Sequence, residues 1–482
     1  MYRPVSVLAL PALDAEFTRF SPSIMLSSTN RMSTDSAPVS FGAILREKNF
    51  ARLWYGQIIS SLGDRFYQWA LLAVVFGIKG GVDVGKDTAR IAFCAMLPGL
   101  LFAPLYGWIV DHFSRRLVMI WADLIRAFLT LTIIYLWFQL HHLGAVYVVI
   151  FLMGAFNGLF IPARQAALPQ IVSPDKLVPA NALISLIGVI ANLVGALFAA
   201  LFVSIFGPHS SFIVNALGFI VSAWFVYHIT ADLSPRPSAA SASGETTGFW
   251  RSSVEGWYVL REQPQLRSIV LVKSAFCLIS ALGLITILQQ MVNKMDLATV
   301  QALADTLKHI LTHLAPRPPV FEIKPLAFGL FFAAVGLGVG LGVGLCGWAR
   351  QWTHSKALPF ASLAVLGLTL IGFAQFRNFG PAILGAIALG IVTGLILIPI
   401  EARLQNDVDD ARRGRLFALC NLCTTVSFLV GLALNLDGRL LQNLGPSLFI
   451  EVIGTTTVAI AALLALGNLS DLKSFWSARP SK

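Results

Sequence analysis

The sequence has 482 residues, of which 56% are hydrophobic and 12% are charged. This charged fraction is about half the usual value and excludes an ordinary soluble domain, while repeated apolar runs of about 20 residues indicate a polytopic membrane protein. The net charge of +11 does not indicate a nucleic-acid partner, because the basic residues lie in short segments between the apolar runs.

An N-terminal segment precedes the first apolar run. Residues 1–45 are rich in Ser, Thr and Pro, and they contain no apolar stretch followed by a small-residue cleavage site. We expect this segment to be a disordered cytoplasmic tail rather than a secretory signal.

Twelve apolar runs follow in two groups of six, which predicts an all-α membrane protein with twelve transmembrane helices in two six-helix bundles. The predicted spans 1 to 12 are residues 52–78, 88–110, 117–139, 144–164, 180–206, 210–230, 266–290, 325–349, 357–376, 380–401, 414–436 and 445–467. The predicted domains are an N-terminal bundle 46–231, a cytoplasmic linker 232–265, a C-terminal bundle 266–468 and a cytoplasmic tail 469–482. The linker is rich in Ser, Ala, Pro and Gly, so we expect it to be flexible up to a more structured segment at 249–260.

Lys and Arg are distributed unequally between the two sides of the predicted membrane. Of the 35 basic residues, 23 lie on the side that holds both termini and 9 on the opposite side. The remaining three, Arg65, Arg126 and Lys273, lie inside spans. The positive-inside rule places the richer side, called the basic side below, in the cytoplasm. We therefore expect a multi-pass protein of the plasma (inner) membrane with both termini cytoplasmic.

Span 1 contains the sequence SSLGDRFYQWALL, which places Asp64 and Arg65 deep in an apolar run. A charge there costs at least about 2.5–3.5 kcal/mol on insertion scales, so a compensating interaction is required. Gln57, Ser61, Asp64 and Gln68 recur at helical spacing and share one face. We expect this polar face to line a central cavity between the bundles, where transporters of this architecture bind their substrates.

Two interpretations of Asp64 are open. Its carboxylate either takes up and releases a proton as the cavity alternates its access, or it forms a permanent Asp–Arg ion pair that joins helices. Arg65 lies on a different face of the helix, and we expect it to stack or pair with a neighbouring helix.

Other charged residues lie inside spans 3 and 7. Asp123 precedes Arg126 by one turn, which predicts either a local ion pair or a pair at the edge of the cavity. Lys273 lies early in span 7, and we expect its ammonium group to extend to the basic interface.

One loop on the opposite side, residues 291–324, is long. Its segment LATVQALADTLKHILTHL at 297–314 places its apolar residues on one helical stripe. We expect an amphipathic helix that covers the membrane surface, with a gating or partner role as the alternative.

The loop between spans 2 and 3 reads GWIVDHFSRR and resembles the signature loop of the major facilitator superfamily. Gly107, Asp111, Arg115 and Arg116 match that pattern, whereas His112 replaces the usual Arg. The resemblance implies the fold of twelve spans in two bundles and transport by alternating access.

Other stretches resemble particular branches of the superfamily. LWYGQIISSLGDRF, ADLIRA, IPARQAALPQIVSPDKLVPANAL and RRGRLFAL resemble the drug exporters that include macrolide efflux proteins. LIPIEARLQNDVDDARRGRLFALCNL is also similar to lysophospholipid transporters. Span 5 departs from the superfamily antiporters because it lacks their Gly-Pro pair, and span 4 has no Arg in its apolar part. The resemblance therefore leaves the substrate open.

The signature loop is expected to act as a conformational latch. Asp111 can meet the positive N-terminal end of span 11, with Arg415 as its partner from the other bundle. This contact would hold the outward-open state and break when the cavity opens inward. Gly107 is expected to allow a close approach of helices, and Arg115 and Arg116 either belong to the latch or serve as positive-inside anchors.

These features predict a secondary active transporter that exports an amphipathic small molecule or drug by alternating access, with proton exchange as the candidate driving force. The alternatives are a lysophospholipid transporter or flippase, and a sensor or scaffold without transport. We expect a monomer surrounded by membrane lipids, with the substrate and protons as its ligands. We expect no cofactor, metal site or enzymatic activity, because the sequence has no nucleotide-binding motif and the CxxC of Cys420 and Cys423 lacks a second ligand pair.

Overall fold

The computed structural model describes residues 41–79, 84–140, 142–173, 176–191, 195–235, 249–312, 323–348, 357–406 and 410–467. Within these ranges the chain is helical and has no β-strand beyond an isolated bridge between Asp296 and Asn378. The helices are Phe41–Leu45, Lys48–Lys79, Val84–Leu101, Ala103–His112, Arg115–Phe138, Leu143–Ile171, Leu177–Ile190, Ala196–Tyr227, Phe249–Glu262, Pro264–Asn293, Ala298–Thr312, Ile323–Trp348, Leu358–Ala374, Phe379–Asn406, Asp410–Ala433, Arg439–Leu444 and Pro446–Gly467. Residues 1–40 of the predicted tail 1–45, the predicted tail 469–482 and the linker residues 236–248 lie outside this description. The last five residues of the first tail form the helix Phe41–Leu45, so the expectation of disorder is wrong for them.

The predicted spans coincide with these helices. Among the described residues, eight helices are long and apolar enough to cross a membrane, and the bent pair Val84–Leu101 and Ala103–His112 makes a ninth. The other three spans coincide with the charge-bearing helix Lys48–Lys79, with Leu177–Ile190 and the helix that follows it, and with Leu358–Ala374. The protein is therefore an all-α membrane protein with twelve transmembrane helices in two six-helix bundles.

Proline and glycine set the breaks within this series. Span 2 bends by 56° at a one-residue break. Pro98 lies one turn before the break and Pro104 in the first turn after it, and proline removes a helical hydrogen bond. Gly207 has a φ of 77° and is followed by Pro208, so Ala196–Tyr227 is two helices in sequence. This turn separates span 5 from span 6, at the predicted position.

The two halves meet at the ends of the spans on the side opposite to the basic side. The backbone N–H of Gly85, at the start of span 2, donates to the Oε1 of Gln289, near the end of span 7, at 2.6 Å. The rings of Trp69 and Phe332, from spans 1 and 8, pack edge to face at 5.6 Å. A small apolar cluster in the same region contains Ala89, Ala281, Ile285 and Leu432. The halves are thus closed against each other on that side.

The linker helix, Phe249–Glu262, is packed on the basic end of span 11. A Cβ on Gly256 would lie 2.4 Å from the backbone oxygen of Arg415, so only glycine allows the two helices to lie this close. Leu260 is buried, and Arg267 donates to its backbone oxygen at 2.8 Å. The structured end of the linker is therefore held on the C-terminal half.

The long loop on the opposite side contains the helix Ala298–Thr312, within the predicted amphipathic segment. Val300 and Ala304 are buried one turn apart on the same face. The Pro-rich residues that follow, 313–322, lie outside the described ranges. This helix covers the ends of spans with a narrow apolar face.

Candidate transport site

Asp64 lies at the centre of span 1. It is 16 residues from the first residue of Lys48–Lys79 and 15 from the last, which is about 24 Å and 22 Å along the helix axis. The side chain is partly exposed, and among the described residues it makes no hydrogen bond or ion pair. Arg126 and Arg65 are the cations whose charge acts on it. The carboxylate is therefore near positive charge without a fixed partner.

The guanidinium of Arg126 is instead bound to its own helix. Arg126 and Asp123 are 3% and 0% exposed, and Arg126 Nη2 donates to Asp123 Oδ1. Arg126 Nη1 donates to Asn157 Oδ1 on span 4 at 3.1 Å. The guanidinium also lies over the rings of Phe219 and Phe160, 4.3 Å and 4.9 Å from their centroids. The structure shows the local ion pair, so the charge of Arg126 is balanced without Asp64.

The predicted polar face of span 1 is divided between different environments. Gln57 is buried and accepts a hydrogen bond of 2.7 Å from Arg164 of span 4. Gln68 is exposed and accepts one of 2.8 Å from Arg65. Arg65 thus bonds to its own helix rather than pairing with a neighbour, although its stem packs against Gly195 of span 5. Arg65 and Gln68 are therefore hydrogen-bonded to each other within one turn of Asp64. Gln57 is in a separate contact nearer the basic side.

Arg164 is a polar residue that sequence reasoning placed at the basic end of span 4, the last residue of the predicted range 144–164. The structure puts it inside span 4, Leu143–Ile171, seven residues and about 10 Å before the helix ends. The helix continues through Pro162 and Pro169, which transmembrane helices tolerate. The apolar residues between the two prolines were the available sign that span 4 extends this far.

Lys273 also differs from its expected position at the interface. It is 9% exposed, and its Nζ donates to Glu401 Oε1 of span 10 at 2.5 Å. The side chain of Glu401 is 38% exposed. Because the ammonium group has a carboxylate partner inside the bundle, it has no need to extend to water. The C-terminal half therefore contains a neutral ion pair between spans 7 and 10.

The signature-loop residues do not meet the other half in this conformation. Asp111 is exposed and, within the described ranges, has no hydrogen bond or ion pair. Arg115 and Arg116 donate to the backbone oxygens of Ser234 and Ala231, in the segment after span 6 of their own half. Gly107 does not allow a close helix approach as expected, because a Cβ there would have open space within 4 Å.

Arg415, the expected partner of Asp111, is paired with the linker helix. Its Nε lies 3.0 Å from Glu255 Oε2, and the Arg415 side chain is half exposed. The predicted latch is therefore open, in a conformation whose halves are closed on the opposite side. Glu255 thus binds the guanidinium that was predicted to pair with Asp111.

Glu255→Gln is expected to shift the population toward the state that is closed on the basic side, because it frees Arg415 for Asp111. An exposed ion pair contributes about 0.2–1 kcal/mol, so the population ratio should change by up to about fivefold. The measurement is maleimide labelling, from the basic side, of a cysteine at Ser61 after the five native cysteines are replaced.

The matched variant Asp111→Asn should shift labelling in the opposite direction. In the double variant, Glu255→Gln should have no further effect, since its influence depends on Asp111. An undiminished effect of Glu255→Gln in the double variant would contradict competition for Arg415.

Comparison with known proteins covers nearly the whole chain. Residues 53–432 match the model of the Major Facilitator Superfamily. The MFS-type transporter YfiS of Bacillus subtilis (strain 168) is 24% identical, over 88% of this chain and 94% of its own. Macrolide efflux protein A of Streptococcus pyogenes is 23% identical, over 87% of this chain and 96% of its own. A crystal structure of a POT family transporter superposes with a TM-score of 0.63 at 12% identity, covering 87% of this chain and 96% of that one.

Proposed function

We propose that this chain, which belongs to the Major Facilitator Superfamily of transporters, exports an amphipathic small molecule from the cell in exchange for protons. In this proposal the protein works as a monomer in the plasma membrane with both termini in the cytoplasm. The name of one relative, macrolide efflux protein A, supports export of an amphipathic drug.

The position of Asp64 is the observation on which the proposal depends. A carboxylate at the centre of a span is costly unless it has a function or a partner. Asp123 already balances Arg126, and Arg65 donates to Gln68. Asp64 is therefore free to bind and release a proton, and this favours a protonatable group over a permanent ion pair.

The contacts between the halves support alternating access. They lie on the side opposite to the basic side, through Gly85 with Gln289 and Trp69 with Phe332. With the basic side in the cytoplasm, as the positive-inside rule places it, these contacts close the protein toward the outside. The release of Asp111 from Arg415 agrees with that assignment, because the latch was expected to break when the cavity opens inward.

The proposed cycle uses one proton per turnover at Asp64. In the outward-facing state Asp64 binds a proton from outside as the substrate leaves. In the inward-facing state it releases that proton to the cytoplasm, and the cavity binds the next substrate. The proton therefore moves inward while the substrate moves outward.

The test uses purified full-length protein in liposomes with an imposed pH gradient. Erythromycin is the macrolide probe, and norfloxacin is a second amphipathic drug probe that carries a carboxylate. The accumulation of each against a concentration gradient is measured with and without nigericin, which collapses the pH gradient. Accumulation that nigericin abolishes is the expected result. Accumulation that continues without the pH gradient would exclude proton exchange.

A further inference from the structure

Arg164 is a half-buried cation that has no neutralising partner among the described residues. Its Nη1 donates to the neutral side-chain amide of Gln57 at 2.7 Å. Its Nε is buried and has no hydrogen-bond acceptor among the described residues. No acidic side chain among the described residues forms an ion pair with it. A cation inside a span that is held only by a neutral amide leaves most of its desolvation cost uncompensated.

A short internal repeat shows that only the N-terminal half has an uncompensated charge at this position. Span 4 contains the sequence IPAR ending at Arg164, and span 10 contains IPIE ending at Glu401. Each charged residue follows its proline by two positions and contacts the first span of its own half, through Gln57 in one case and Lys273 in the other. The C-terminal position is neutralised by an ion pair, whereas the N-terminal position carries a net positive charge.

We propose that Arg164 binds an anionic group of the transported amphiphile, a phosphate or a carboxylate. This assignment rests on the proposed transport function and adds a substrate class to it. A guanidinium presents a planar set of donors that matches both groups, and here only Nη1 has a hydrogen-bond acceptor among the described residues. Gln57 fixes the orientation of the guanidinium, and the apolar walls of the bundle accommodate the hydrocarbon part of the ligand.

The position of Arg164 suits a substrate that enters from the basic side. It lies about 10 Å inside the end of span 4, between that end and the depth of Asp64. In a conformation closed on the opposite side, an amphiphile from the basic side reaches Arg164 before Asp64. The anion would then be bound near the entrance, at a distance from the proton-carrying group.

The test is a binding titration on full-length protein in a non-ionic detergent, followed by tryptophan fluorescence. The probes are lysophosphatidylglycerol as anionic amphiphile, monomyristoylglycerol as neutral amphiphile, dodecyltrimethylammonium as cationic amphiphile and inorganic phosphate as free anion. Arg164→Gln should lower the affinity for lysophosphatidylglycerol by at least about tenfold, because a hydrogen-bonded charge is lost. It should leave the affinities for the neutral and cationic probes unchanged. Arg164→Lys should retain most of the affinity.

Control variants separate this site from general effects. Arg439→Gln removes an exposed positive charge on the opposite side and should change nothing. Gln57→Leu removes the hydrogen bond to Arg164 and a long one of 3.4 Å to Ser60 Oγ. It should weaken binding of the anionic probe by about two- to fivefold, which keeps the test valid if Arg164→Gln does not fold. The titration is made without a pH gradient and does not require transport, so a failure of proton coupling remains distinguishable from a failure of this site.

Three results would overturn the proposal. The first is unchanged binding of lysophosphatidylglycerol to Arg164→Gln. The second is equal affinity of the wild type for the neutral and the anionic amphiphile. The third is inorganic phosphate binding as tightly as lysophosphatidylglycerol and with the same dependence on Arg164, which would assign the site to a free anion.

Discussion

Asp64→Asn is expected to abolish proton-driven accumulation of substrate while the protein still folds. Asn has nearly the same shape as Asp but cannot release a proton, so the coupled cycle stops at this residue. Among the described residues Asp64 has no hydrogen bond or ion pair to lose. The change in stability should therefore stay within about 1 kcal/mol. Gradient-driven accumulation should fall by at least about tenfold, whereas substrate exchange without a gradient should continue.

The measurement compares the two assays in the same liposomes, with melting temperature in detergent as the check on folding. Asp305→Asn is the matched control, because it makes the same chemical change in the exposed surface helix Ala298–Thr312. If Asp64→Asn loses several kcal/mol of stability and both modes of transport, Asp64 is a structural group and the proton role is excluded.

The arrangement of spans was predictable because a bilayer imposes one strong condition. Each segment that crosses must be apolar over about 20 residues and satisfy its own backbone hydrogen bonds. Gly207 and Pro208 also mark the boundary between spans 5 and 6 in the sequence itself. The same condition made the insertion cost of Asp64 predictable from the sequence, because a charged residue at the centre of an apolar run can be recognised there directly.

Interactions of short sequence separation were also accessible. Asp123 and Arg126 are three residues apart on one helix, and the structure contains the ion pair that this spacing allows. What the spacing could not show is the burial of that pair beneath Phe219 and beside Asn157. These contacts come from spans 4 and 6, whose rotation about their axes no sequence pattern fixes.

Long-range partners were missed for the same physical reason. Lys273 and Glu401 are 128 residues apart, and each alone looks like a residue near a membrane interface. Glu255 lies in a linker whose composition predicts flexibility up to that region, so its pairing with Arg415 depends on how the linker helix packs. Arg164 was predicted to end span 4 at the basic interface, whereas the helix continues to Ile171.

Asp123→Asn is expected to stop proton-driven transport although Asp123 itself does not carry the proton. The substitution leaves Arg126 buried without its counter-charge, which by itself costs about 3–5 kcal/mol. A second carboxylate, that of Asp64, is close enough for its charge to act on both Arg126 and Asp123. Arg126 should therefore pair with Asp64 permanently, so stability falls by less than that cost and Asp64 no longer releases and rebinds its proton.

Two double variants test this explanation. Asp123→Asn with Arg126→Gln removes both buried charges, so Asp64 is again free and proton-driven accumulation should return. Asp123→Asn with Asp64→Asn leaves Arg126 with no carboxylate, so the melting temperature should fall by more than the sum of the two single effects. Proton-driven transport that persists in Asp123→Asn alone would show that Asp64 does not exchange partners, and the two carboxylates would then act independently.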